Sequence, residues 1–290
     1  MSELFRDIVV PYDGSELSET AAPFAAEVAR RSGGRITLVR ALPEPAMVTD
    51  IPRTVLGQVT SAARKELEAA AARVTDVPVK TMLKEGLPAD VILREAKSRD
   101  LVVMTTHGRS GVSRLVLGSV TEKVIRLSPV PVLVVRPRRG TLKAAATAAG
   151  RMFHDIVVPL DGSDLSREAV APLAAGLASD TRLHLLTIVR AGATEEEANA
   201  AGDWLAGRAA ALEARGLAAV TRLVNHDSPA EGIAAYAEHN DCGLIVMSTH
   251  GAGGLREWML GSVTDQVIRR GPVPVLVVPS PGRAKKTAKK

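Results

Sequence analysis

The chain has 290 residues, 46% apolar but only 2% aromatic, so its cores must be aliphatic, and its length exceeds what one ordinary core supports. Its net charge is +5, yet Arg283, Lys285, Lys286, Lys289 and Lys290 of the tail alone supply that excess; a basic end without interleaved aromatics reads as solvated and argues against a nucleic-acid partner. A single cysteine, Cys242, excludes an intrachain disulfide, no apolar run approaches a membrane span, and the opening MSELFRDIVV lacks a signal-peptide pattern, so a cytoplasmic protein with no membrane partner is expected.

In chain order, FRDIVVPYDGSELS at 5–18 comes first. DIVV lacks strict alternation, as strands buried on both faces do, and Asp13-Gly14-Ser15 is turn chemistry in which the aspartate can bond its own downstream amides. Ala21–Arg31 reads as a helix, with Pro23 in its first turn or two, where proline costs least. ITLVRAL is the second strand, Ala62–Arg73 and Pro88–Lys97 are Ala-rich helices, and LVVM is a further strand. It leads into Thr105-Thr106-His107-Gly108-Arg109-Ser110-Gly111, then Gly118-Ser119 at the start of a helix, and VPVLVV closes the series.

After Arg138–Arg151, an Ala/Arg-rich stretch without large apolar residues that reads as a flexible linker or short helix, the series begins again. FHDIVVPLDGSDLS occupies 153–166, with Pro172 placed like Pro23, followed by LHLLTIV and LIVM. Ser228-Pro229-Ala230-Glu231 reads as a capping box with proline at the first helical position. Ser248-Thr249-His250-Gly251-Ala252-Gly253-Gly254, then Gly261-Ser262 and VPVLVV, repeat the loop, helix and final strand. This period is too long for a solenoid unit and marks a tandem duplication: domains at 1–138 and 152–280, a linker at 139–151 and a basic tail at 281–290. Strands alternating with helices imply an α/β fold with a parallel sheet covered on both faces, joined by right-handed crossovers.

Open α/β sheets bind ligands at the carboxyl ends of their strands, where both glycine loops fall. Glycines let backbone amides turn inward as an anion nest, and the following helix adds unpaired N–H groups and the positive end of its dipole. A plainer reading competes. Ser119-Val120-Thr121-Glu122 and Ser262-Val263-Thr264-Asp265 resemble capping boxes, so each serine could simply cap its helix. His107 and His250 have no cysteine, second histidine or carboxylate nearby in sequence to complete a triad or metal set, which favours a structural or ligand-contact role. A Walker loop would place lysine after the last glycine; serine and valine stand there instead, so fast phosphoryl transfer is not expected.

These motifs resemble the universal stress protein family over nearly the whole chain. The resemblance rests on the opening DIVVPxDGS, the closing GSVTxxVIRxxPVPVLVV, and a nucleotide signature like G-x2-G-x9-G-[ST], matched from Gly108 to Gly118-Ser119 and from Gly251 to Gly261-Ser262. The signature's first glycine is replaced by Thr105 and by Ser248; threonine suits an extended backbone but not positive φ. The resemblance implies two tandem Rossmann-like domains of the adenine nucleotide alpha hydrolase type, each a five-stranded parallel sheet, with ATP and Mg2+ across the strand ends. It implies that Asp13 and Asp161 face the nucleotide, that Ala41 and Ile188 touch adenine, and that Gly108, Arg109, Gly111, Gly118 and Ser119 hold ribose and phosphates. Gly251, Ala252, Gly254, Gly261 and Ser262 do so in the second copy, and the contact set extends to Pro11, Thr105, His107 and Val120, with Pro159, Ser248, His250 and Val263 opposite them.

The final strands, Val130–Val134 and Val273–Val277, are apolar segments at a sheet edge, which invites pairing. In the family this strand resembles the dimerisation element, so pairing of the two repeats within one chain is expected, with a further homodimer open. Three functions follow: a nucleotide-binding stress regulator acting on a protein partner, a nucleotide-free interaction scaffold, and a slow ATPase in the same pocket.

Overall fold

The computed structural model describes residues 5–44, 52–107, 117–136, 142–163, 177, 180–249 and 260–279. The chain divides into two compact units, Phe5–Ala146 and the stretch from Thr147 onward. The first contains β1 (Asp7–Pro11), α1 (Glu16–Glu19), α2 (Ala22–Ser32), β2 (Arg35–Leu42), α3 (Arg53–Ala72), β3 (Val79–Glu85), α4 (Pro88–Ala96), β4 (Leu101–Thr105), α5 (Ser119–Leu127) and β5 (Val132–Val135). Helix α6 (Leu142–Arg151) forms within the expected linker. The second unit contains β6 (Asp155–Pro159), β7 (Arg182–Val189), α7 (Glu195–Glu213), β8 (Ala218–Asn225), α8 (Pro229–His239), β9 (Leu244–Ser248), α9 (Ser262–Arg270) and β10 (Val275–Val278).

In the first unit the strand order is β3-β2-β1-β4-β5 with every pairing parallel. The second repeats it as β8-β7-β6-β9-β10. The chain runs outward from β1 to β3 and then returns to place β4 on the other side of β1. The direction therefore reverses between β1 and β4, and between β6 and β9, and this reversal opens a crevice at the strands' carboxyl ends. The apolar runs behave as expected: Ile8, Val9, Val10, Ile156, Val157 and Val158 are all buried, so consecutive residues pack on opposite faces under helices.

The outer strands β3 and β8 are different. VKTMLKE mixes half-buried and exposed positions, and AAVTRLVN is likewise only partly covered. Each lies at the end of its unit's strand order, where charged residues are tolerated. Helix α3 begins nine residues before the Ala-rich stretch read from sequence.

Pro23 lies in the first turn of α2 and Pro88 and Pro229 open α4 and α8; Pro172 lies outside the described residues. The capping box expected at Ser228 does not form. Ser228 is the N-cap, but its hydroxyl accepts no capping bond; its N–H donates instead to His226 Nδ1 at 3.0 Å, and Glu231 turns to Arg270 at 3.2 Å. A reciprocal box opens α7, where Thr194 Oγ1 accepts from Glu197 N and Glu197 Oε2 from Thr194 N. His184 is buried on β7, its Nδ1 2.9 Å from the Tyr236 phenol and its Nε2 2.8 Å from Asp155 Oδ1. Both ring nitrogens are thus engaged.

Candidate functional site

A cavity of about 560 Å³ opens at the carboxyl ends of β1, β2 and β4 in the first unit. Helices α1, α3, α4 and α5 all contribute to it. Val91 and Ile92 of α4, with Leu42, Pro43 and Met104, form an apolar wall. Opposite in chemistry is the start of α5, where Gly118, Ser119, Val120 and Thr121 line the same space.

The α5 start is built by hydrogen bonds rather than by a side-chain cap. Gly118 is the N-cap, with extended backbone (φ −62°, ψ 142°) and no capping side chain. Ser119 is therefore the first helical residue, exposed, and the capping-box reading fails there. The same holds for Ser262, which follows the N-cap Gly261. Gly118 N donates to Thr106 O at 2.9 Å, and the first helical bond is Glu122 N to Gly118 O; the amides of Ser119, Val120 and Thr121 precede it and have no partner within the helix. A Cβ on Gly118 would lie 3.1 Å from Thr106 O, so a glycine suits this close approach.

Buried Thr121 fixes the helix to β4 by donating Oγ1 to Thr105 O at 3.0 Å. Thr106 N reaches across to Val135 O. Thr105, standing where the family signature has glycine, is a strand residue without positive φ, and its hydroxyl donates to His107 O at 2.7 Å. The replacement thus introduces no backbone strain. His107 Nδ1 lies 3.0 Å from Thr106 Oγ1, inside the loop's own hydrogen-bond set.

Asp13 follows β1 and lines the cavity. Its Oδ1 accepts from Ser15 N at 2.9 Å and Ser15 Oγ at 2.6 Å, with Gly14 at φ 86° between them. Asp161 repeats the arrangement with Ser163, at 3.1 and 2.6 Å, around Gly162 at φ 84°. The turn-forming role is therefore present in both copies, and in the first it holds a carboxylate at the crevice.

The structure thus brings together Pro11, Asp13, Ala41, Thr105, His107, Gly118, Ser119 and Val120 around one cavity. In the second unit Pro159 ends β6, Ile188 lies near the end of β7, Ser248 ends β9, and Gly261, Ser262 and Val263 begin α9. The strand-to-helix join recurs there: Gly261 N donates to Thr249 O at 2.9 Å and Thr264 Oγ1 to Ser248 O at 3.1 Å. Gly108, Arg109, Gly111, His250, Gly251, Ala252 and Gly254 lie outside the described residues.

Sequence reasoning missed the charged corner of the first crevice. Arg40 of β2 is buried, donates Nη1 to Glu66 Oε2 at 2.6 Å and sits 5.8 Å from the Tyr12 ring centre. Tyr12 Oη donates to Glu19 Oε1 at 3.2 Å, and Glu19 also pairs with Arg73. Burial first, then the Glu19 carboxylate, pushes the Tyr12 phenol above its ordinary range. An arginine inside the apolar run ITLVRAL was the available signal, since a buried guanidinium demands a partner. The missed Val91 and Ile92 belong to the buried stripe of α4.

Fold and crevice together define a tandem pair of doubly wound α/β domains with a ligand-sized opening at the strand switch point. The sequence profile of the universal stress protein family matches residues 4–136 and 152–279, and the chain belongs to that family. It is 34% identical to a universal stress protein of Methanocaldococcus jannaschii over 142 residues, covering 46% of this chain and 83% of that one. It is 26% identical to one of Synechocystis over 300 residues, covering 93% of this chain and 99% of the other. The crystal structure of a universal stress protein from Archaeoglobus fulgidus superposes with a TM-score of 0.67 at 21% identity, covering 94% of this chain and 96% of that one, which shows the shared fold. Among the described residues no helix is long and apolar enough to cross a membrane.

Proposed function

We propose that the first-unit crevice is an adenine-nucleotide site and that the protein is a nucleotide-dependent regulator of the stress or dormancy response rather than a fast catalyst. One observation carries this reading: a single cavity joins an apolar wall suited to a base with a helix start whose first amides have no partner within the helix and suit phosphates. The two halves of a nucleotide need those two chemistries. A volume of about 560 Å³ falls within the range for ligands of this size. Thr105 leaves the strand end unstrained, so its replacement of glycine is compatible with binding.

Asp13 is the only carboxylate among the described lining residues. One carboxylate together with phosphate oxygens and water is a common way of holding Mg2+, so Asp13 fits that role, with Oδ1 already oriented by Ser15. Among the described residues the titratable groups on the wall are Tyr12, Asp13, Arg40 and His107. Arg40 is engaged by Glu66 and His107 by Thr106. Regulation then requires that nucleotide bind two conformational states with different affinity and so shift the choice of protein partner.

Calorimetric titration of the nucleotide-free protein with Mg-ATP tests the reading. Saturable binding is expected, and Ser119→Glu should abolish it while keeping the helix, because a carboxylate stabilises a helix start but repels phosphate. No heat at millimolar ATP would favour the scaffold reading; phosphate release that vanishes in Ser119→Glu would favour a slow ATPase.

A further inference from the structure

The two crevices differ where a base would sit. Equivalent positions follow from register and hydrogen bonding. Arg35 and Arg182 stand opposite Asp7 and Asp155, which makes Ile188 the counterpart of Ala41. Gly86 N donates to Leu42 O at 2.8 Å as His226 N donates to Val189 O at 3.0 Å, so His226 replaces Gly86. Pro88 and Pro229 both open their helices, so Gly232 replaces Val91.

All three positions change size. In the first unit Ala41 and Val91 line the cavity, and Gly86, at φ 133°, has the Val91 side chain next to the place a Cβ would take. In the second unit a Cβ on Gly232 would lie 3.0 Å from both Ile188 Cδ1 and His226 Cβ. Ile188 therefore spans from β7 to α8 and rests on bare backbone, with His226 beside it. His226 is itself held, since its Nδ1 accepts from Ser228 N. Isoleucine and histidine together fill far more space than alanine and glycine, and Gly232 is the residue that admits them at normal packing density. The charged corner is also gone: Tyr12 and Arg40 have Leu160 and Thr187 as counterparts, and Thr187 Oγ1 donates to Leu160 O at 2.8 Å.

We infer that Ile188, seated on Gly232 beside His226, closes the base subsite of the second crevice, so that each chain binds one adenine nucleotide, in the first unit. This inference rests on the nucleotide reading of the first crevice and assigns Ala41 and Ile188 as the residues that decide between an open and a closed site.

Equilibrium dialysis of the full chain against labelled ATP, with Ala41→Ile as the variant, tests it. The native protein should saturate at one equivalent, and Ala41→Ile should weaken that site roughly tenfold or more, the cost of overpacking a formed wall. Two equivalents in the native protein, or a single equivalent untouched in an Ala41→Ile chain of native circular dichroism, would overturn the inference and leave the nucleotide reading standing. No binding by the native protein would overturn the nucleotide reading itself. If Ala41→Ile does not fold, the native stoichiometry and the residue labelled by a photoreactive ATP decide the question alone.

Discussion

Thr121→Val isolates the strut that places the α5 start at the crevice. Thr121 is 3% exposed and its Oγ1 donates to Thr105 O at 3.0 Å. Valine matches its shape, so no cavity opens and the loss is that of the hydrogen bond, with a carbonyl left one donor poorer. Removing one partner of a buried hydrogen bond costs about 1–3 kcal/mol, and the added methyl recovers part of that through apolar burial, leaving a net loss of roughly 1–2 kcal/mol. In a unit of this size that lowers the transition midpoint by about 3–8 °C. Differential scanning calorimetry, fitted with independent transitions because a two-domain chain need not melt as one, reads the shift. Thr264→Val, which removes the matching bond to Ser248 O at 3.1 Å, should lower the other transition by a similar amount. A Thr121→Val protein as stable as the native one, within about 0.3 kcal/mol, would refute the claim that this hydroxyl ties the helix to β4.

Gly34→Ala and Gly243→Ala should each destabilise by about 2–3 kcal/mol in urea titration. A Cβ would stand 2.5 Å from Arg6 O in one case and 2.4 Å from Arg151 O in the other, against backbone that cannot turn aside. Cys242 should report through alkaline pH: burial, then the Asp155 and Asp241 carboxylates, push its thiol up to about 11. Since the folded pKa lies above the unfolded one, its contribution is complete below about 9 and is lost as pH rises through about 11. Cys242→Ala should flatten that limb of a stability–pH curve. The native thiol should also resist alkylation at neutral pH and react once the chain is unfolded in urea.

The central strands were legible because burial on both faces leaves an unbroken apolar run, as in Ile8 to Val10 and Leu244 to Met247. Strands β3 and β8 were not, because their exposed positions carry Lys80, Lys84 and Arg222, and such a pattern is no stronger than that of a loop. Helix starts were legible where proline marks them. The capping chemistry was not, since Ser228 and Thr194 look alike in sequence and only the geometry shows which hydroxyl meets an amide. Serine after glycine at 119 and 262 also suggested a cap, whereas the glycine itself takes that position. The repeat both revealed the crevice and masked its asymmetry: Ile188 matches Ala41 in register, but its effect depends on Gly232, a residue on another element. Arg40 and Tyr12 are replaced by Thr187 and Leu160 across the repeat, so motif matching passed over them.

Photolabelling with 8-azido-ATP followed by peptide mapping tests the central claim most directly, that the first-unit crevice holds an adenine nucleotide. The label should appear in peptides carrying Val39–Pro43 or Pro88–Ile92 and disappear with excess unlabelled ATP. Labelling that excess ATP does not displace, or that maps to the Arg182–Gly232 region instead, would contradict the account.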